Sequence, residues 1–97
     1  MKTIHKFAMT IGDVKDAISF SMPEGARPLH VANQNGDLCI WALVDPSLDV
    51  ANVERKFLVC GTGHPVMEPA IYIGTAHFNS GMLVLHVFDP TGATFTK

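Results

Sequence analysis

Charge is scarce in this chain. Only 16 % of its residues are charged, and seven Lys and Arg are outnumbered by nine Asp and Glu, leaving a formal net charge of −2. A protein that grips nucleic acid by neutralising phosphates needs a basic surplus, so direct nucleic-acid binding is not expected. Cysteine is scarce too. Cys39 and Cys60 sit in the apolar runs Leu38-Cys39-Ile40-Trp41 and Leu58-Val59-Cys60-Gly61, and neither belongs to a CxxC or CxxH spacing. Two cysteines are too few for the disulfide framework of a small secreted domain, and a free thiol in such a run behaves as a small hydrophobe. No metal or other cofactor is expected on this reading. No apolar run approaches the ~18–20 residues that span a bilayer. The opening Met1-Lys2-Thr3-Ile4-His5-Lys6 has no continuous apolar stretch behind it of the kind that makes a secretory signal. The expectation is a cytoplasmic chain that does not engage a membrane. Sustained helical stripes and repeats of 20–50 residues are also missing.

What the chain does have is hydrophobic residues, 47 % of its 97. That is enough for one domain with a core and too much for a disordered tail. The pattern is that of strands. Ile18, Phe20 and Met22 alternate with Ser19 and Ser21, and Pro23-Glu24-Gly25-Ala26 then breaks the run. Residues 28–33 and 37–44 flank Gln34-Asn35-Gly36, and Asn-Gly between apolar runs predicts a type I′ hairpin. Pairing about it sets Val31 opposite Ile40, His30 opposite Trp41 and Ala32 opposite Cys39. Asp45-Pro46 ends that strand, with Asp45 read as the cap of a turn. Val53 to Cys60 predicts a further strand. Residues 71–78 and 82–88 form a second hairpin across Asn79-Ser80-Gly81, and the first nine or ten residues supply one more strand, with Ile4 and Phe7 inward. Seven short strands joined by turns every 8–12 residues predict an all-β fold, an antiparallel sandwich or small barrel. The domain is placed at residues 1–92, with 93–97 as a frayed tail.

The second hairpin is apolar on both sides. If Phe78 faces Leu83, one surface carries Tyr72, Ala76, Phe78, Leu83, Leu85 and Val87. The other carries Ile71, Ile73, Thr75, His77, Val84, His86 and Phe88. An antiparallel sheet in so small a chain ordinarily keeps one face polar. Part of this surface is therefore expected to meet a second copy, making the protein a homo-oligomer.

For chemistry, the loop Gly61-Thr62-Gly63-His64-Pro65 is the most suggestive segment. Two glycines permit positive φ and expose successive amides, a geometry that binds phosphate or carboxylate. Thr62 adds a hydroxyl and His64 an imidazole that offers a charge or a base. The Lys-Ser/Thr of a nucleotide loop is missing, and Pro65 and Pro69 block a following helix, so a tight strand connection remains the alternative. Arg55 and Trp41 are added as candidate partners of a small anionic ligand. His77 and His86 share a face only if the turn length permits, and the strands that carry them offer no carboxylate to complete a metal set. No serine lies in a nucleophile elbow, so an enzyme would have to use His64 as acid or base.

The segments Asn35-Gly36-Asp37-Leu38-Cys39-Ile40-Trp41-Ala42-Leu43-Val44-Asp45-Pro46, Gly61-Thr62-Gly63-His64-Pro65, Tyr72-Ile73-Gly74-Thr75 and Leu83-Val84-Leu85-His86-Val87-Phe88 carry a resemblance. Over nearly its whole length the chain resembles a family of small bacteriophage and prophage proteins, a domain of unknown function. That resemblance implies a phage setting in the host cytoplasm and no mechanism. By genomic analogy, phage genes of this size often encode counter-defence proteins that sequester a nucleotide-type ligand or block a host protein. A non-catalytic, oligomeric binding protein is the reading these observations favour. A virion structural or assembly protein, and a small enzyme built on His64, are the alternatives.

Overall fold

In the computed structural model, residues 1–90 are described, and they form seven strands with two single 3-10 turns. The strands are β1 (Thr3–Thr10), β2 (Ala17–Pro23), β3 (Arg27–Gln34), β4 (Asp37–Val44), β5 (Asn52–Gly61), β6 (Ile71–Phe78) and β7 (Leu83–Asp89). They make two antiparallel sheets, β1-β4-β3 and β2-β5-β7-β6, packed as an all-β sandwich. The tail placed at residues 93–97 lies outside the described residues.

The first hairpin forms as its turn residues dictate. Asn35 (φ 56) and Gly36 (φ 88) take the two positive-φ positions of a type I′ turn. Val31 pairs with Ile40, His30 with Trp41 and Ala32 with Cys39. The alternating residues Leu38, Ile40, Ala42 and Val44 then point into the sandwich and are buried, against Ile18, Phe20 and Met22 of β2 and Phe57 and Val59 of β5. Among the described residues, fifteen apolar ones are buried. Cys39 lies on the outer side of β4 and is nonetheless buried, under a strap in which Lys6 Nζ donates to Gln34 Oε1 at 2.6 Å across the strand.

The second hairpin has the register in which Phe78 faces Leu83, and Ala76, Phe78 and Val87 are buried on its inner side. Tyr72 departs from the sequence reading. A bulge between Tyr72 and Gly74 inserts Ile73, which reverses the facing of the residues before it. Tyr72 therefore pairs with Phe88 on the outer side, is 55 % exposed, and meets the Phe88 ring edge-on at 5.5 Å. The bulge sits at Gly74 because β3 and β6 close on each other there: a Cβ on Gly74 would lie 2.9 Å from Val31 Cβ. A second correction concerns β1. Phe7 packs inward as expected, but Ile4, three residues away and so on the opposite face, is 55 % exposed.

One strongly polar contact is buried in this apolar interior. Arg55 points inward from β5, and its guanidinium donates to the carbonyl of Ala26 at 2.8 Å and to Asp89 Oδ2 at 2.9 Å. It also lies over the Phe57 ring, 5.6 Å from the centroid.

After β4, Asp45 caps the turn expected of it. Its carboxylate accepts from the hydroxyl and the amide of Ser47, the latter at 3.1 Å, and its carbonyl accepts from Leu48 N. The Ser47 hydroxyl is the main cause that holds the Asp45 carboxyl below its ordinary value, with smaller help from the Ser47 amide and the N-terminal ammonium. A carboxyl whose folded pKa is depressed stabilises the fold above its unfolded pKa and loses that contribution as pH falls through the folded one. In Ser47→Ala the Asp45 titration, followed by carboxyl carbon NMR, is expected to move upward toward an ordinary aspartate. An unmoved midpoint would contradict the assigned cause.

Candidate ligand-binding groove

A concavity arises where β2 and β5 part company. Val59 N donates to Asp16 O at 2.8 Å, and one residue earlier Leu58 pairs with the first residue of β2, Ala17. Beyond that point β5 continues to Gly61, paired with β7 alone. The chain around the first 3-10 turn, with Ile11 and Val14, forms the opposite wall. Leu83 and Leu85 of β7 lie behind, and the loop after β5 with Pro65 and Met67 closes the near side. The groove is open on one side, has a volume of about 610 Å³ and is lined mostly by apolar groups. Lys15, Asp16, His64 and the Cys60 thiol supply its charged or titratable groups. Such a volume and such a lining fall within the ordinary range of small-molecule sites.

The loop that walls the groove is built by two glycines doing different jobs. Gly63, at φ +89, occupies the third position of a turn closed by a bond from His64 N to Gly61 O at 3.1 Å. That position of a type II turn demands positive φ. Gly61 leaves room for the His64 side chain instead: the ring lies over it, and a Cβ there would meet Nδ1 at 3.1 Å and Cε1 at 3.2 Å, so the ring would have to give by a few tenths of an ångström. The His64 amide is spent on the turn, so it is not among the amides a bound anion would use.

The sequence-predicted residues separate into three places. Gly61 and His64 line the groove, with Gly63 at the loop tip beside them. Thr62 turns away to the outer face of the four-stranded sheet, where its hydroxyl bonds His86 Nε2 at 2.8 Å. Arg55 is 6 % exposed and held by Asp89 and Ala26, while Trp41 lies on the outer face of the other sheet, in ring contact with His30 at 5.6 Å.

A polar chain emerges that sequence reading had assembled only in part. Thr62 Oγ1 meets His86 Nε2, His86 Nδ1 meets Thr75 Oγ1 at 2.9 Å, and Thr75 Oγ1 meets the Tyr72 hydroxyl. The hairpin register places Thr75 opposite His86, and so was readable from the turn length. Tyr72 joins only because of the bulge, and Thr62 only because of the tertiary path of its loop. His77 and His86 do share the outer face, at diagonal positions. Among the described residues no group of three or more His, Cys, Asp or Glu is arranged to hold a metal ion. Nor is any helix there long and apolar enough to cross a membrane.

A two-sheet β sandwich with one apolar groove at its open edge is the class of protein these features define. The chain belongs to the family described as a domain of unknown function, DUF7352, whose model matches residues 1–94. Neither a curated protein nor a solved structure matches it.

Proposed function

We propose that this is a non-catalytic binding protein that captures a small amphipathic anion, a nucleotide-type molecule with an apolar ring, in the groove beside the Gly61–Pro65 loop. The observation that carries the reading is the groove itself, about 610 Å³ of mostly apolar lining with Lys15 and His64 among its polar members. An apolar ring fits the Ile11, Val14, Leu83 and Leu85 walls, and Lys15 and His64 offer the anionic group a cation and an imidazole against the opposing Asp16 carboxylate. A resemblance to phage and prophage proteins supports, by genomic analogy, a host-cytoplasm setting and counter-defence by sequestration as the use.

Self-association belongs to the same proposal. The outer side of the second hairpin leaves Tyr72 exposed and Val84 and Phe88 half-buried, a surface that a second copy would cover. Light scattering tests this part, with a monomer at all concentrations as the contrary result.

The ligand is tested by heating protein purified from phage-infected cells and identifying what it releases by mass spectrometry. The expected compound carries a negative charge on an apolar ring. Added back at 100 times its Kd, it stabilises the fold by about 2.7 kcal/mol. That corresponds to a rise in Tm on the order of 10 °C for a domain of this size. In Met67→Glu, at the exposed rim, the shift should fall sharply because the added carboxylate repels the anion. No released compound, together with no shift across a panel of cyclic and ADP-ribose-type nucleotides, would overturn the reading.

A further inference from the structure

The outer face of the three-stranded sheet is a separate surface with its own chemistry. Register and alternation place Ile4, Lys6 and Ala8 of β1, Cys39, Trp41 and Leu43 of β4, and Arg27, His30 and Ala32 of β3 on this side. Trp41 stands in the middle strand, half-buried, with Lys6 paired to one side of it and His30 to the other. Arg27 pairs with Leu43 two residues along. The bulge between Pro28 and His30 pushes Leu29 out to 41 % exposure beside this cluster. Acidic groups are confined to its ends. Asp37 lies in the last register row, next to the hairpin turn, and the carboxylate of Asp45 beyond β4 is taken by Ser47. In a chain whose net charge is −2, a centre made of the half-buried Trp41 and the exposed Leu29, flanked by Arg27 and by Lys6, whose ammonium also donates to Gln34, is a local reversal of sign.

We propose that this face is a docking surface for an acidic segment of a partner protein, with Trp41 as its apolar anchor and Arg27 and Lys6 pairing with the partner's carboxylates. Tryptophan and arginine dominate the energetics of protein interfaces when they sit centrally on an exposed patch. The sign of the rim selects an acidic partner and disfavours a second copy presenting the same face, because a two-fold pairing would bring like charges together. The surface lies on the opposite sheet from the Tyr72–Phe88 patch and does not include the groove, so it goes beyond the function proposed above and does not depend on it.

Trp41 is the only tryptophan in the chain, so its fluorescence reports on this face alone. The experiment titrates the intact protein with a synthetic peptide of alternating Glu and Leu, and in parallel with its Lys-Leu counterpart. A saturable change in Trp41 emission is expected with the acidic peptide only. The apparent Kd should weaken about tenfold or more between low and high salt, and again in Arg27→Glu. Far-ultraviolet circular dichroism establishes that the variant is folded, and Lys6→Glu serves as the second charge reversal. Three results would each overturn the proposal: no response to the acidic peptide, an equal response to the basic one, or undiminished binding in both reversals. So would a Trp41 emission that changes with protein concentration in the absence of peptide, since a second copy would then occupy the face.

Discussion

Replacement of Asp89 by Ala is expected to destabilise the protein by about 3–5 kcal/mol, the usual consequence of leaving one member of a buried ion pair behind. Asp89 and Arg55 are 5 % and 6 % exposed, and their contact is 2.9 Å. Without the carboxylate, the Arg55 guanidinium remains in an apolar interior between β5 and β7, with its charge no longer offset by that group. Arg55→Met leaves the Asp89 carboxylate buried without the guanidinium and should cost a comparable amount, even though the methionine stem fills much of the same space. The double variant Arg55→Met/Asp89→Leu should recover much of the loss. A buried pair often adds little over well-packed apolar groups of similar volume, even though breaking it is costly. Urea denaturation of the four proteins forms the cycle. Additive effects in that cycle would mean that the two side chains are not coupled as their geometry implies.

Phe57→Ala is expected to cost about 3–5 kcal/mol, the range for deleting a fully buried aromatic ring. Phe57 is fully buried, and its ring lies 6.4 Å from that of Phe20, which in turn lies 6.0 Å from Phe7. This series of rings runs from β5 through β2 to β1 and so joins the two sheets across the core. Phe57 also supports the Arg55 guanidinium from below. Its removal should therefore couple to Asp89→Ala, and the combined loss should differ from the sum of the two by more than about 0.5 kcal/mol, the scatter seen between independent sites. Conservative Phe57→Leu keeps most of the volume and should lose far less.

Much of this architecture was legible because local chemistry and tertiary packing agree. The Asn35-Gly36 turn specifies the pairing of Val31 with Ile40 without any knowledge of the rest of the chain. The alternation of Ile18, Phe20 and Met22 likewise identifies the buried side of β2. Legibility ends where one residue of register is decided at a distance. Nothing in Ile71-Tyr72-Ile73-Gly74 announces that β3 approaches so closely at Val31 that Gly74 must sit there with a bulge before it, yet that contact moves Tyr72 to the other face. Arg55 shows the same limit for charge. In sequence it stands between Glu54 and Lys56 and reads as a candidate partner of an anionic ligand, whereas the carboxylate it meets, Asp89, is 34 residues away. For the site, the loop at residues 61–65 was identified by its glycines, and it does wall the groove. The opposite wall at Ile11 and Val14 carries no motif, because apolar lining of a groove and apolar lining of a core use the same residue types.

On the proposed function, the groove beside this loop, rather than either sheet face, takes the small amphipathic anion. Amide NMR of the labelled protein titrated with anilinonaphthalene sulfonate, a small aromatic anion, tests it most directly. Saturable shifts are predicted at Ile11, Val14, Gly61, His64 and Leu85, with Ala32 and His77 on the two outer faces unmoved. Shifts gathered around Trp41 or the Tyr72–Phe88 patch, with the groove amides silent, would contradict the account.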